Sequence, residues 1–221
     1  MSLALTAFGG ASARAPRSLA AATLVSAQTQ AQTRPYPEIV AVRGPVRLQL
    51  PVSQQRLTAI GYHAADDGGL PLTPAGHQAN ENVVQRVVHA IFGGGSGNPR
   101  WYQLTGGTTS ALDVGAPVGT NVYSPVDGVV AAITPFVVGG KRYGSQIDIQ
   151  PQNAPGVVVT LTQLSVDPSL TVGSAVVSGA RRLGTILDLS GVEHQALARY
   201  TNDAGNHVTV ELRPAAGIVL N

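Results

Sequence analysis

From position 128 onward the chain reads as a series of short strands set close together, at 128–134, 145–150, 157–162, 185–189 and 207–212. Each is rich in Val, Ile, Thr or Leu, the composition that suits a pleated, half-buried surface. Turn residues separate most of them too tightly for the helical crossovers that parallel strands need. That restricts the fold to a mainly β protein built on an antiparallel sheet or roll. A helix over Val192 to Tyr200 is the one interruption expected inside it.

The chain upstream has a different texture. Residues 34–60 are extended and punctuated by Pro, and Val46-Arg-Leu-Gln-Leu50 alternates as a half-buried strand does. Ala64 to Gly69 reads as a loop. Gln78 to Phe92 has the pattern of a helix, over about 79–92: Asn80 can cap it, and Val83, Val84, Val87, Val88 and Ile91 share one face. Gly93-Gly-Gly-Ser-Gly97 ends that helix and serves as a linker. The expected organisation is therefore a leader over 1–33, an N-terminal extension over 34–100, and a β domain over 101–221. An extension of this size with one helix makes a poor core by itself, so it is expected to pack onto the β domain.

Arg14 and Arg17 precede the apolar run Leu19 to Val25, with small residues at Val25-Ser26-Ala27. A basic region, a short apolar region and a small-x-small site are the parts of a secretory signal, and the run is too short to span a bilayer. The alternative is a disordered Ala-rich tail. The 14 cationic residues against 12 anionic ones are scattered, with no run longer than Arg181-Arg182. Nucleic-acid binding needs a concentrated basic stripe, so that class is excluded. With no Cys, a disulfide frame or thiolate metal site is excluded too.

The most informative stretch is Asp113-Val-Gly-Ala-Pro-Val-Gly-Thr-Asn-Val-Tyr-Ser-Pro-Val-Asp-Gly-Val-Val130. Pro125 and Asp127-Gly128 favour a tight reversal, with Gly128 free to take a positive φ. Four more segments follow in order: Arg142-Tyr-Gly-Ser-Gln-Ile-Asp-Ile149, Val158 to Leu164, Leu170 to Gly184 with its three Gly, and Asn206-His-Val-Thr-Val-Glu-Leu212. Together they resemble the lysostaphin-type (LytM-like) zinc endopeptidases that cut bacterial peptidoglycan. The resemblance covers about residues 101–221. It implies a lysostaphin-type β-roll, related to the duplicated hybrid motif, carrying a groove.

The resemblance also assigns roles. Asp113 falls on the family's metal-binding Asp and His207 on the first His of its closing His-x-His. Thr109 stands near the upstream His ligand and Thr209 at the second His of His-x-His. Gln163 stands where the family has a catalytic His in Tyr-x-His-Leu. A catalytic zinc takes three protein ligands and an open fourth position, and neutral hydroxyls are poor replacements for imidazole. Without the metal nothing lowers the pKa of an attacking water. The resemblance therefore implies a degenerate member, a pseudoenzyme in which Asp113 and His207 are vestigial. Its groove would be lined by Asp113, Gln163, His207, Thr209 and Trp101, and no cofactor would be bound.

The remaining candidates have blander readings. His63, His77 and His89 could fold onto the groove and rebuild a metal site, but their spacing matches no ligand pattern, and surface or capping roles are expected. His194 near a helix start is expected to be solvated. Asp66-Asp67 before Gly-Gly reads as a turn rather than an acid–base pair. Ser110 and Ser190 lack any hydrolase motif. Trp101-Tyr102 could stack on a sugar, although sealing the start of the domain is the preferred role. Three functions follow: a secreted or envelope-associated, non-catalytic protein that binds cell-wall peptide or a partner protein; an active zinc endopeptidase with rearranged ligands; or a biotinyl- or lipoyl-like barrel-sandwich module, for which Lys141 is the one modifiable residue.

Overall fold

The structure is a computed structural model that describes residues 34–65, 68–80 and 99–215. The leader, most of the expected 79–92 helix, Gly93–Gly97 and Asp66-Asp67 lie outside the described residues. The described residues are mainly β. Two strands, β1 (Ile39–Arg43) and β2 (Val46–Gln49), form a hairpin, and β3 (Ala59–His63) follows. Short strands β4 (Thr73–Pro74) and β5 (His77–Gln78) precede β6 (Arg100–Gln103), β7 (Ala111–Gly115) and β8 (Asn121–Tyr123). The long strands come next: β9 (Gly128–Val138), β10 (Lys141–Pro151) and β11 (Val157–Val166). Then come β12 (Ala175–Val176), β13 (Arg182–Ile186) and β14 (His207–Pro214).

β9 through β14 carry most of one large sheet, in the order β12-β9-β10-β11-β14-β7-β3-β6-β5, with β13 bridging β11 and β8. Its pairings are antiparallel except where β6 runs parallel to β3 and β5 parallel to β6. The hairpin of β1 and β2 forms a second sheet with β4. The extension thus supplies a strand to the large sheet: β3 pairs with β7 along its full length, from Ala59↔Gly115 to His63↔Ala111.

Alternation decides what each face of the large sheet does. In β14, Val208, Val210 and Leu212 are buried among other apolar residues. Leu112 and Val114 of β7, Ile60 and Tyr62 of β3, and Leu161 of β11 join them, together with Val40, Val46 and Leu48 of the second sheet. The Tyr62 hydroxyl donates to the Val40 carbonyl at 2.5 Å, which ties the two sheets and satisfies a buried polar atom. The opposite face carries the residues in between, among them Asp113, Thr209 and Glu211. It is polar, and it holds the site.

Three local expectations are revised. Gly128 has no positive φ; a Cβ there would meet the Gln150 carbonyl oxygen at 2.2 Å, so the close approach of β9 and β10 is what demands glycine. The helix expected over Val192 to Tyr200 is only a 3₁₀ turn, Ala196–Arg199, because Gln195 is extended and Leu197 alone is buried in the turn. One apolar residue does not make a helical face. The strand expected at 185–189 lies at 182–186, where it pairs with both β11 and β8.

Asp167 anchors the turn after β11. It accepts from the Ser169 amide at 2.9 Å and hydroxyl at 2.8 Å, and from Arg182 Nε at 2.7 Å. These donors, the Ser169 amide foremost, hold its carboxyl down at about 2. A carboxyl lowered on folding stabilises above its ordinary 3.8 and loses that contribution as pH falls toward about 2. Urea midpoints should therefore show Asp167→Asn less stable than the parent near about pH 6, with the gap narrowing as pH falls toward about 2. A gap that does not narrow in acid would show that the charge of the carboxylate is not its source.

Candidate functional site

Asp113 is the centre of β7, with β14 on one side and β3 on the other. Thr209 lies directly opposite it on β14 and Gly61 directly opposite on β3. His207 pairs with Gly115, two residues on, and His63 pairs with Ala111, two residues back. Register therefore places both histidines on the face of Asp113, at the two diagonals, within reach of long side chains. Their atoms meet there. The Oδ1 oxygen of Asp113 accepts the Thr209 hydroxyl at 2.8 Å and lies 3.2 Å from His63 Nε2 and 3.3 Å from His207 Nε2.

Each ring is held from behind by a backbone carbonyl. His63 Nδ1 lies 2.7 Å from the Ala64 oxygen and His207 Nδ1 lies 2.9 Å from the Gly205 oxygen. A carbonyl only accepts, so Nδ1 carries hydrogen in both rings and Nε2 is the nitrogen turned to the carboxylate. The loop after His63 is fixed by Ser110, whose hydroxyl accepts from the Ala65 amide and whose own amide donates to the His63 carbonyl. Ser110 is therefore a bracket for His63 rather than a nucleophile. Gly205 aims its carbonyl with a φ of +74°, and a Cβ there would strike Ala198 of the 3₁₀ turn.

Gln163 closes the cluster from β11. Its amide Nε2 is 3.2 Å from His207 Nε2 and 3.4 Å from the Thr209 hydroxyl. Among the described residues it is the one non-glycine with a positive φ, +66°. That kink falls where β11 leaves β14, after Thr162, and takes up β13, from Leu164. A residue held in this region stores on the order of 1 kcal/mol or more and marks a place where surroundings dictate conformation.

Burial alone would raise the Asp113 carboxyl, but the charges of His207 and His63 and the hydrogen bonds from His63 and Thr209 outweigh it and hold the carboxyl below its ordinary value. The reciprocal effect, chiefly the hydrogen bond to Asp113 working against desolvation, raises His63 to about 9. Asp113 is thus a carboxylate surrounded by donors and a poor base.

Asp113, Gln163, His207 and Thr209, singled out from the sequence, come together. Trp101 does not join them: it packs edge-on against Tyr62, centroids 5.2 Å apart, on the opposite face of the sheet. Thr109 is also spent elsewhere, donating to the Leu72 carbonyl at 2.6 Å. His77 lies in β5, and His194 is exposed, as expected. Lys141 opens β10 beside the Tyr143 ring. His63 is the residue that sequence reasoning set aside. Its only advance signal was position, at the end of an apolar Ile-Gly-Tyr run whose pairing with β7 spans some fifty residues and leaves no local trace.

Comparison with solved structures finds similarity to lysostaphin in solution, at 16% identity and a TM-score of 0.36, covering 52% of this chain and 39% of that one. It also finds pseudoalterin, a metalloprotease from the deep sea, at 19% identity and a TM-score of 0.39, covering 77% and 72%. This chain thus spans well under half of lysostaphin's length. No family model and no curated protein matches it.

The ligand set implied by the motif resemblance does not fit a metal here. Thr109 is bonded to backbone, Thr209 is bonded to Asp113, and among the described residues no three His, Cys, Asp or Glu side chains form a group that could hold a metal ion.

The cluster's stability makes a direct prediction. Asp113→Ala strands two imidazoles and a hydroxyl in a buried place and should cost about 3 kcal/mol in chemical denaturation. Exposed His194→Ala should change stability by less than about 0.5 kcal/mol. Equal effects would mean that the cluster holds nothing together.

Proposed function

We propose that this chain is a non-catalytic protein of the cell envelope whose polar sheet face binds peptide, with peptidoglycan stems as the ligand the motif order favours and an envelope protein as the other. The carrying observation is chemical. Hydrolysis of an amide needs a group that takes a proton from water. Asp113 is surrounded by donors and held below its ordinary value, Gln163 cannot titrate, and the Thr209 hydroxyl is already given to Asp113. The polar side chains of this face, Asp148 and Thr160 bonded at 2.7 Å and Thr209 bonded to Asp113, are nearly buried. An extended peptide would therefore be read at the edge of the face, where the His63 side chain is 26% exposed.

The leader-like sequence from Arg14 to Ala27 supports placement outside the cytoplasmic membrane. Among the described residues no helix is long and apolar enough to cross a membrane.

Co-sedimentation with purified cell-wall sacculi tests the reading. The protein should pellet with them and release no new amino termini. Gln163→Ala should weaken binding roughly tenfold, the worth of one buried hydrogen bond, whereas Trp101→Phe, on the other face, should leave it unchanged. Release of peptide by the purified protein would make it an enzyme and end the non-catalytic reading.

A further inference from the structure

We propose that Tyr102 and Tyr200 are the site of an oxidative cross-link, a carbon–carbon bond between their phenol rings formed by a peroxide acting with a haem peroxidase. The product is a dityrosine staple between β6 and the turn that precedes β14. It uses none of the groups of the Asp113 cluster and does not depend on the peptide reading.

The stack carries the proposal. The two ring centroids are 4.3 Å apart and the planes lie only 17° from parallel. Aromatic pairs usually have centroids roughly 4.5–7 Å apart, so this is a tight stack. Two phenol rings joined through one bond keep their centres at about the same spacing, so coupling asks the rings to turn rather than to travel. The pair is also held from outside. The Asn80 amide donates to the Tyr200 phenol oxygen at 3.2 Å and to the Gln103 carbonyl at 2.8 Å, and its own carbonyl accepts the Gln103 amide at 3.0 Å. One side chain thereby fixes Tyr200 to the residue next to Tyr102. The phenol oxygen accepts in that bond, which leaves the phenol hydrogen unused.

Access favours the same pair. Tyr102 lies opposite Gly61, which lies opposite Asp113, so its ring stands on the polar face and not in the core. Both rings are half-buried, whereas Tyr62 and Tyr123 are buried. Tyr36 and Tyr143 are within reach of an oxidant too, but among the described residues neither has a second tyrosine ring beside it.

The chemistry balances. Each phenol gives up one electron and one proton and becomes a phenoxyl radical. The radicals pair at a ring carbon next to the oxygen-bearing one, Cε of each residue. The hydrogens on those carbons then move to the oxygens and restore both hydroxyls. The pair loses two hydrogens in all, and one hydrogen peroxide takes them up to become two waters. With no Cys in the chain, a disulfide cannot supply a covalent tie. Tyr200 closes the 3₁₀ turn, whose Ala198 lies against Gly205, and the Gly205 carbonyl holds His207. The staple would therefore clamp the loop behind His207 to β6.

The full chain at low concentration, treated with hydrogen peroxide and a haem peroxidase, tests this by dityrosine fluorescence, intact mass and peptide mapping. A monomer lighter by two hydrogens is expected, with the peptides of Tyr102 and Tyr200 joined. Tyr102→Phe and Tyr200→Phe, each shown to be folded by circular dichroism, should lower the yield at least about tenfold, because proximity is what favours this pair over encounters between chains. Tyr36→Phe should leave the yield unchanged. The linked protein should need more urea to unfold, since the bond restricts the unfolded chain. Absence of dityrosine, cross-linked dimers alone, or a link through other tyrosines overturns the proposal. An unchanged urea midpoint in the linked protein overturns its role as a staple.

Discussion

A buried carboxylate is the constraint around which this face of the molecule is organised. Moving an ion of that size out of water costs several kcal/mol unless charge and hydrogen bonds are returned to it. Asp113 receives them from the two strands that flank it: Thr209 and His207 on β14, and His63 on β3. The result is a carboxyl below its ordinary value and an imidazole well above its own. Remove β3, and Asp113 loses the partner that the 101–221 segment cannot supply. The extension is thereby part of the site as well as part of the sheet.

The second requirement is positional. An interaction at 3 Å between residues separated by 50 and 96 positions in sequence is only as good as the register that aligns their strands. A slip of one residue in β14 would send His207 and Thr209 into the apolar core and Val208 and Val210 onto the polar face. Burial of Val208, Val210 and Leu212 is therefore what aims the site. Glycines complete the alignment at two points. A Cβ on Gly115 would come within 2.7 Å of the Thr58 hydroxyl and 3.3 Å of Leu197, so the 3₁₀ turn can close over the strand only if that side chain is missing. Gly61 faces Asp113 with no side chain of its own, and Leu104 fills the space.

This division explains what sequence could and could not show. The strands of β9, β10, β11 and β14 were legible because alternation and β-branched composition are local properties, and the turn residues between them are local too. The convergence of Asp113, Gln163, His207 and Thr209 was legible only through the order of the motifs. β7 and β3 were not legible as strands: Ala-Leu-Asp-Val-Gly and Ala-Ile-Gly-Tyr-His are short, and β7 is buried throughout, so neither shows a polar alternation to read. Their pairing is a long-range fact, and with it went the role of His63. Trp101 is the opposite case: its place on the groove does not hold. The sealing role preferred for it agrees with the parallel pairing of β6 with β3, which turns the ring toward Tyr62 and the core.

On the motif resemblance, Thr109, Gln163 and Thr209 stand where imidazoles would be expected. Thr109 and Thr209 withdraw two imidazoles from one arrangement, and Gln163 withdraws a proton acceptor. None of these removes the charge of Asp113, and two hydroxyls do not neutralise it. The positive charge has to come from somewhere, and His63 and His207 are where the fold puts it. His63 meets that need as an imidazolium: both of its nitrogens face acceptors, the Ala64 carbonyl and the Asp113 carboxylate, and the hydrogen bond to Asp113 raises it to about 9.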